Sequence, residues 1–205
     1  MRSDAIAFGV AGIAFGLIAG WIIGTQQAGL RPGPPAPAAA AAAAPSGGAA
    51  PAAAILDESK VTAFKNVAER ESSNPTPRVE LANLYFDAER FDDAIKWYVE
   101  ALKLVPNDVN VSTDLGVSYY YTNQAEKALA QFAHSLSIDP THLKTLLNLG
   151  VVKAFGVQDL AGAEEAWEQV VKISPDSPEA QSAKRALDSL RSAHPPAGAA
   201  AKPGA

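Results

Sequence analysis

A period of 34 residues in the middle of the chain constrains its fold more than any other feature. Pro106, Pro140 and Pro175 are separated by 34 and then 35 residues, and each follows an apolar run with helical spacing. Similar residues recur at fixed distances before each proline. They are a leucine followed by a small residue, an alanine and an aromatic: Leu81-Ala82, Leu115-Gly116 and Leu149-Gly150; Ala94, Ala128 and Ala163; Tyr98, Phe132 and Trp167. A repeat of this length predicts stacked pairs of helices.

The recurring small and large residues predict how the two helices of each unit pack. Two antiparallel helices approach closely only where a side chain is small, and the recurring aromatic fills the space beside it. The proline cannot extend the second helix, so the chain turns there into the next unit. The third unit differs, because Lys153 replaces the tyrosine found at Tyr85 and Tyr119, and one extra residue falls within 156–162. We therefore expect an irregular turn in that unit.

These offsets resemble the tetratricopeptide repeat, whose pattern contains a Leu-Gly pair, a tyrosine, an alanine, an aromatic and a terminal proline. The resemblance covers residues 75–175 and implies three repeats, at 75–108, 109–142 and 143–176. It implies an all-α fold, a short right-handed solenoid of helix-turn-helix units. It also implies a scaffold that binds other proteins, so we expect no enzyme activity.

Helices are also predicted on both sides of the repeats. Residues 55–74 have apolar side chains at helical spacing, and Phe64 lies 34 residues before Tyr98. This flanking helix therefore looks like the second helix of an incomplete unit. In residues 177–193, Ser177 can cap a helix with a narrow apolar stripe, which predicts a terminal capping helix with a polar outer face. The alternative is a free helix that binds a partner.

An uncharged run near the amino terminus predicts a membrane anchor. Residues 5–24 contain no charged side chain, and a helix of that length spans roughly 30 Å, the hydrocarbon thickness of a bilayer. Trp21 lies near one end, where interfacial aromatics are favoured. The alternative is a cleaved signal peptide, which would make the protein soluble and exported. Its obvious cleavage site, Gln26-Gln27-Ala28, places a bulky polar residue where a small one is needed.

The predicted anchor has a face of glycines spaced four residues apart, which are Gly12, Gly16, Gly20 and Gly24. This spacing is typical of small-residue surfaces through which membrane helices associate, and it predicts self-association or docking on another helix. Glycine is also simply common in membrane helices, which is the alternative. The numbers of basic residues on the two sides of the run are nearly equal, so they do not decide the orientation of the anchor. A short tail before an unbroken run favours repeats on the extracytoplasmic side of the cell membrane, which is the periplasm in a two-membrane bacterium.

The segments outside the helices have compositions that cannot build a core. Residues 32–54 are Pro, Ala, Gly and Ser only, so the linker at 25–54 is predicted to be a disordered tether. As a coil, residues 32–54 alone reach roughly 25 Å. The tail at 194–205 is predicted to be disordered for the same reason.

Several classes of function are disfavoured by composition. The net charge is −5 without a basic stripe, so nucleic-acid binding is not expected. The chain has no cysteine, and His134, His142 and His194 lack partners at metal-ligand spacing, so neither a metal nor a cofactor is expected. No phosphate-binding loop or nucleophile motif is present.

The resemblance implies a concave groove lined by the first helix of each repeat. The matching positions are Val79, Asn83, Phe86, Asp87, Thr113, Val117, Tyr120, Tyr121, Leu147, Val151, Ala154 and Phe155. From these we select eight as partner contacts: Asn83, Phe86, Thr113, Val117, Tyr120, Tyr121, Val151 and Phe155. The clamp by which one subtype of the family holds acidic tails is not expected, because only Asn83 matches it. Tyr120 and Tyr121 could anchor a peptide or could pack against neighbouring helices.

Together these features predict a membrane-anchored scaffold that binds a protein or peptide partner in the bacterial cell envelope. The alternatives are an exported soluble periplasmic protein and a membrane organiser that self-associates through its glycine face.

Overall fold

The structure is a computed structural model that describes residues 54–193. In this range the chain forms eight α-helices and no strand, which confirms the predicted all-α fold there. The helices are α1 (Glu58–Arg70), α2 (Thr76–Asp87), α3 (Phe91–Leu104), α4 (Val109–Tyr121), α5 (Ala125–Ile138), α6 (Leu143–Val151), α7 (Leu160–Ile173) and α8 (Pro178–Ala193). The predicted span at 5–24, the linker up to residue 53 and the tail at 194–205 lie outside the described residues.

None of the helices within residues 54–193 combines the length and the apolar character that crossing a bilayer requires.

Short polar side chains begin several of the helices. Asp57 accepts hydrogen bonds from the backbone N–H groups of the first turn of α1, and Asp108 does the same for α4. Asp159 accepts from the N–H of Gly162 in α7, and Ser177 accepts from the first turn of α8. Each cap satisfies N–H groups that have no partner inside the helix, so these residues determine where the chain becomes helical.

Neighbouring helices pair as α2 with α3, α4 with α5, and α6 with α7. The residues that recur with the 34-residue period lie between the helices of each pair. Their side chains are almost fully buried: Leu81, Ala82, Ala94, Tyr98, Ala128, Phe132, Ala163 and Trp167. The repeated sequence pattern therefore corresponds to a repeated inter-helix core.

Two glycines allow the closest approach between paired helices. A Cβ atom added to Gly116 would lie 2.5 Å from the ring of Phe132. A Cβ atom added to Gly150 would lie 2.6 Å from Cδ1 of Trp167 and closer still to its Nε1. Trp167 also donates a hydrogen bond of 3.1 Å from Nε1 to the backbone oxygen of Leu147. The large ring can occupy this position only because residue 150 has no side chain.

The irregular turn predicted in the third unit is present, and it begins earlier than the extra residue suggests. The chain continues from α6 into a π-helical turn at Val152–Gly156. A π-helical turn accommodates an inserted residue without breaking the helix. Lys153, which replaces the tyrosine of the other units, lies in this turn and forms an ion pair of 3.4 Å with Asp159. The insertion is therefore absorbed by the end of the first helix as well as by the turn that follows.

The terminal helices α1 and α8 pack on the ends of the stack. α1 contacts α2 and buries Val61 and Ala68, whereas Phe64 is only partly buried. α8 packs along α7 and buries Ala180, Ala183, Ala186 and Leu187, while its remaining side chains are mostly exposed. Arg191 on α8 also binds Glu164 and Glu168 on α7. In this structure α8 is therefore a packed end helix with a polar outer face, and not a free helix.

Candidate functional site

Four of the eight predicted partner contacts are buried within the stack. The exposed fractions of Phe86, Thr113, Val117 and Val151 are 7%, 0%, 3% and 4%. Their side chains therefore offer almost no surface to a partner, and the structure corrects the expectation that they line an open groove. Phe86 packs against the rings of Phe91 and Tyr98 on α3, and Thr113 shares a hydrogen bond with Thr145 on α6. Asn83, Tyr120, Tyr121 and Phe155 keep accessible surface.

Asn83 is engaged in an internal hydrogen bond. The hydroxyl of Tyr98 donates to Oδ1 of Asn83 at 2.8 Å, which joins the first two helices of the first repeat. Burial raises the pKa of Tyr98 well above its ordinary value, and the carboxylates of Asp114, Asp87 and Glu80 raise it further. The surface of the first helices is therefore acidic around this hydrogen bond.

Polar contacts join the first helices of the second and third repeats. Lys144 on α6 forms an ion pair of 2.6 Å with Asp114 on α4, and both side chains are largely buried. Thr113 and Thr145 share a buried hydrogen bond of 2.6 Å between their hydroxyl oxygens. Nδ1 of His142 lies 2.7 Å from the Thr145 hydroxyl, and burial lowers the pKa of His142. Thr113 therefore holds two helices together instead of facing a partner.

Five aromatic side chains lie where the first helices end, a group that we call the aromatic edge: the contacting rings of Phe86, Phe91, Tyr121 and Tyr120, together with Phe155. Phe86 contacts Phe91 edge to face at 5.3 Å between ring centroids. Phe91 stacks on Tyr121 at 4.5 Å with an interplanar angle of 11°. Tyr121 lies 5.7 Å from Tyr120, whose ring approaches Gly156 in the π-helical turn next to Phe155.

The aromatic edge is partly open to solvent. Tyr121 is 37% exposed and Phe155 is 47% exposed, whereas Phe91 and Tyr120 are half-buried. Burial raises the pKa of both Tyr120 and Tyr121 to about 12, so both phenols stay neutral at physiological pH. The rings therefore combine fixed positions with accessible faces.

Phe91 is a member of this edge that the sequence pattern did not indicate. It begins the second helix of the first repeat, where the resemblance implies no partner contact. The equivalent positions in the other repeats are Ala125 and Leu160, so no periodic aromatic marks the site. Only the stacking of Phe91 on Tyr121 identifies it.

Exposed carboxylates surround the first-repeat end of the edge. Asp87, Glu89 and Asp92 are all exposed and lie next to Phe86 or Phe91 in the chain. Glu89 adopts a left-handed backbone conformation with φ of 56°, and its charge contributes to the raised pKa of Tyr121. The nearby Arg90 is paired with Asp93 at 2.6 Å and lies over the ring of Tyr85. This part of the surface therefore has an excess of negative charge.

Metal-binding geometry does not occur in residues 54–193, since no three His, Asp or Glu side chains converge there. His134, for example, bonds the backbone oxygen of Pro106 through Nε2 at 3.0 Å. Every buried side-chain nitrogen or oxygen in this range has a hydrogen-bond partner. In this part of the chain, the groups that can contact another molecule therefore lie on the surface.

Comparison with known proteins agrees with this architecture. Residues 82–122 match the family model described as TPR repeat. This match supports the tetratricopeptide repeat family. Among curated relatives, Hsp70-Hsp90 organizing protein 3 of Arabidopsis thaliana is 25% identical over 118 residues, which cover 56% of this chain and 21% of the relative. The peroxisomal targeting signal receptor of Candida albicans is 28% identical over 108 residues, which cover 47% of this chain and 18% of that receptor.

Solved tetratricopeptide structures share the fold. The first TPR of Spaghetti (RPAP3), bound to the HSP90 peptide SRMEEVD, has a TM-score of 0.51 at 20% identity, over 67% of this chain and 95% of that one. MamA of Desulfovibrio magneticus RS-1 has a TM-score of 0.60 at 20% identity, over 66% of this chain and 75% of that one. This chain spans about a fifth of the length of the curated relatives that it matches, so the likeness concerns the repeats alone.

Proposed function

We propose that this chain is a tetratricopeptide adaptor that binds a protein or peptide partner and catalyses no reaction. The observation that carries the proposal is the aromatic edge, where Tyr121 and Phe155 remain exposed although the stack buries the recurring aromatics Tyr98, Phe132 and Trp167. Exposed aromatic side chains held in fixed positions are typical of binding surfaces, because little entropy is lost when a partner covers them. Two RPAP3 domains of similar fold, one bound to an HSP90 peptide and one to an HSP70 peptide, support a peptide as the partner.

The partner is not an acidic tail like the peptides SRMEEVD and SGPTIEEVD that the two RPAP3 domains bind. The first helices carry Glu80 and Asp87, and the Lys144 charge is already paired with Asp114. A peptide that ends in several carboxylates would meet like charges and no free clamp, which costs binding energy. The surface of the first helices therefore favours a partner peptide that is neutral or basic.

Peptide selection tests this proposal. We expect the full chain to select peptides from a random-sequence display library, and we expect SRMEEVD to bind no tighter than about 1 mM in a calorimetric titration. The comparison chain carries Phe155→Ala and Tyr121→Ala, and it should retain fewer of the selected peptides. A library that yields no peptide for the parent, or tight binding of SRMEEVD, would contradict the proposal.

The adaptor is also proposed to be a single-pass membrane protein of the bacterial envelope, with its repeats outside the cytoplasm. The uncharged run at 5–24 and the poor cleavage site at Gln26-Gln27-Ala28 support an uncleaved anchor. The linker that follows would let the repeats search a shell above the membrane. The glycine face of Gly12, Gly16, Gly20 and Gly24 supports self-association of the anchor as a second role.

Fractionation tests the anchor. We expect the mature protein to keep its amino-terminal residues and to stay with membranes after alkaline carbonate washing, because a spanning helix is released only by detergent. The substitution Gly16→Lys places a charge in the middle of the run and should shift the protein toward the soluble fraction. The control Ala41→Lys, in the linker, should leave the protein with the membranes. Recovery of a soluble form that begins near Gly29 would favour the exported soluble protein instead.

A further inference from the structure

The aromatic edge and the carboxylates beside it form one surface with two kinds of chemistry. We propose that this surface binds an extended basic peptide of a protein partner, in which Arg or Lys alternates with apolar residues. The apolar side chains would cover Tyr121 and Phe155, and the cations would lie over the rings toward Asp87, Glu89 and Asp92. The inference deepens the proposed function and rests on it, since it names the chemistry of the partner.

The rings of the edge hold one another in place. Phe91 is stacked between two repeats, in contact with Phe86 at 5.3 Å and with Tyr121 at 4.5 Å. Tyr120 continues the row at 5.7 Å toward the π-helical turn. Because these contacts join the first and second repeats, those ring faces are ordered before a partner arrives, which lowers the entropy cost of binding.

Apolar surface remains uncovered along this row. Tyr121, Phe155 and Val157 are 37%, 47% and 38% exposed. Phe155 and Val157 flank Gly156, which approaches the Tyr120 ring. Large apolar side chains that stay exposed next to one another indicate a site for another molecule. Their separation along two repeats suits an extended segment better than a single small ligand.

Charge identifies the occupant as basic. Asp87, Glu89 and Asp92 are exposed at the first-repeat end, and the whole chain has a net charge of −5. The neighbouring cations already have partners within the chain, since Arg90 binds Asp93 and Lys153 binds Asp159. Aromatic faces attract Arg and Lys through their electron-rich rings, and nearby carboxylates strengthen that attraction.

The same charges disfavour the other occupants of such a surface. A second copy of this chain would bring its own acidic edge against the first, and like charges at an interface cost binding energy. An anionic membrane surface would repel the edge for the same reason. A basic peptide is the occupant whose charge complements the surface and whose apolar residues match the rings.

Fluorescence anisotropy with defined peptides tests the inference. The probe is a fluorescein-labelled peptide of about twelve residues built from Arg-Leu-Pro triplets, in which proline keeps the chain extended. Matched peptides replace Arg with Gln or with Glu. We expect the full chain to bind the Arg peptide about tenfold more tightly than the Gln peptide, with no binding of the Glu peptide and weaker binding at high salt.

Two pairs of substitutions locate the binding. The first pair, Glu89→Gln with Asp92→Asn, should weaken binding of the Arg peptide about tenfold. The control pair, Glu165→Gln with Asp188→Asn, removes exposed carboxylates on α7 and α8 and should change the affinity less than about twofold. Phe155→Ala should weaken the Arg and Gln peptides alike. Circular dichroism of each variant establishes that the helices are intact.

Specific outcomes would overturn the inference. Equal affinity for the Arg and Gln peptides would show that the surface does not select a basic peptide. If both pairs of charge substitutions weaken binding of the Arg peptide equally, the selection does not depend on Glu89 and Asp92. Failure of the Arg peptide while the display library still yields neutral peptides would overturn this inference and leave the adaptor function standing. Self-association of the parent in sedimentation velocity, abolished by Phe155→Ala, would assign the edge to a second copy of the chain instead.

Discussion

Gly150→Ala is expected to lower the free energy of unfolding by about 1–3 kcal/mol, although alanine is the better helix former. The added Cβ would lie 2.6 Å from Trp167, whose side chain is fully buried and cannot move aside. Displacing the ring also breaks its hydrogen bond to the Leu147 backbone oxygen, worth about 1 kcal/mol. Overpacking costs about 1–3 kcal/mol, which together with that bond exceeds the gain of about 1 kcal/mol in helix propensity.

Urea unfolding monitored by far-UV circular dichroism measures this effect, and a double-mutant cycle isolates its cause. In a Trp167→Leu background the ring is absent, so Gly150→Ala should cost little or should stabilise the protein. Gly116→Ala, which meets the buried Phe132 ring, should behave like Gly150→Ala. If Gly150→Ala costs the same with and without Trp167, the contact between glycine and tryptophan is not what limits the packing of this repeat.

Removal of α8 is expected to destabilise the whole stack. A chain that ends at Ser177 loses the buried alanines and Leu187 of α8, and it exposes the face of α7 on which they pack. At about 25 cal/mol per Å² of apolar surface, we expect a loss of at least roughly 3 kcal/mol, together with aggregation through the uncovered face. Thermal unfolding and size-exclusion chromatography measure the two effects.

A chain that ends at His194 is the control, and we expect it to unfold like the parent because α8 remains. Leu187→Ala is the smaller intermediate change, at about 2–3 kcal/mol for a buried leucine. A chain ending at Ser177 that stays monomeric and as stable as the parent would show that α8 does not cap the array. The alternative of a helix available to a partner would then be the better account of residues 177–193.

The paired helices of each repeat were predictable because their determinants are local and repeated. Gly116 with Phe132 and Gly150 with Trp167 lie within one helical hairpin, and the same size relation recurs at the same offset in each unit. Each of these contacts joins residues less than 20 positions apart, so it depends only on the geometry of one helical hairpin. The 34-residue period of the sequence indicates that hairpin. The caps at Asp57 and Asp108 are local in the same sense.

The surface of the stack depended on how the units lie against one another. Thr113 and Val117 were expected to face a groove, but both are buried, and Thr113 shares a hydrogen bond with Thr145 of the next repeat, a contact that no single unit encodes. Phe91 stacks on Tyr121 across the boundary between two repeats, from a position where the other repeats have no aromatic. The amino-acid pattern by itself therefore determined the hairpins and their cores, because those contacts lie within a single repeat. The tertiary structure alone decided which side chains stay accessible, because accessibility depends on the angle and distance between successive repeats.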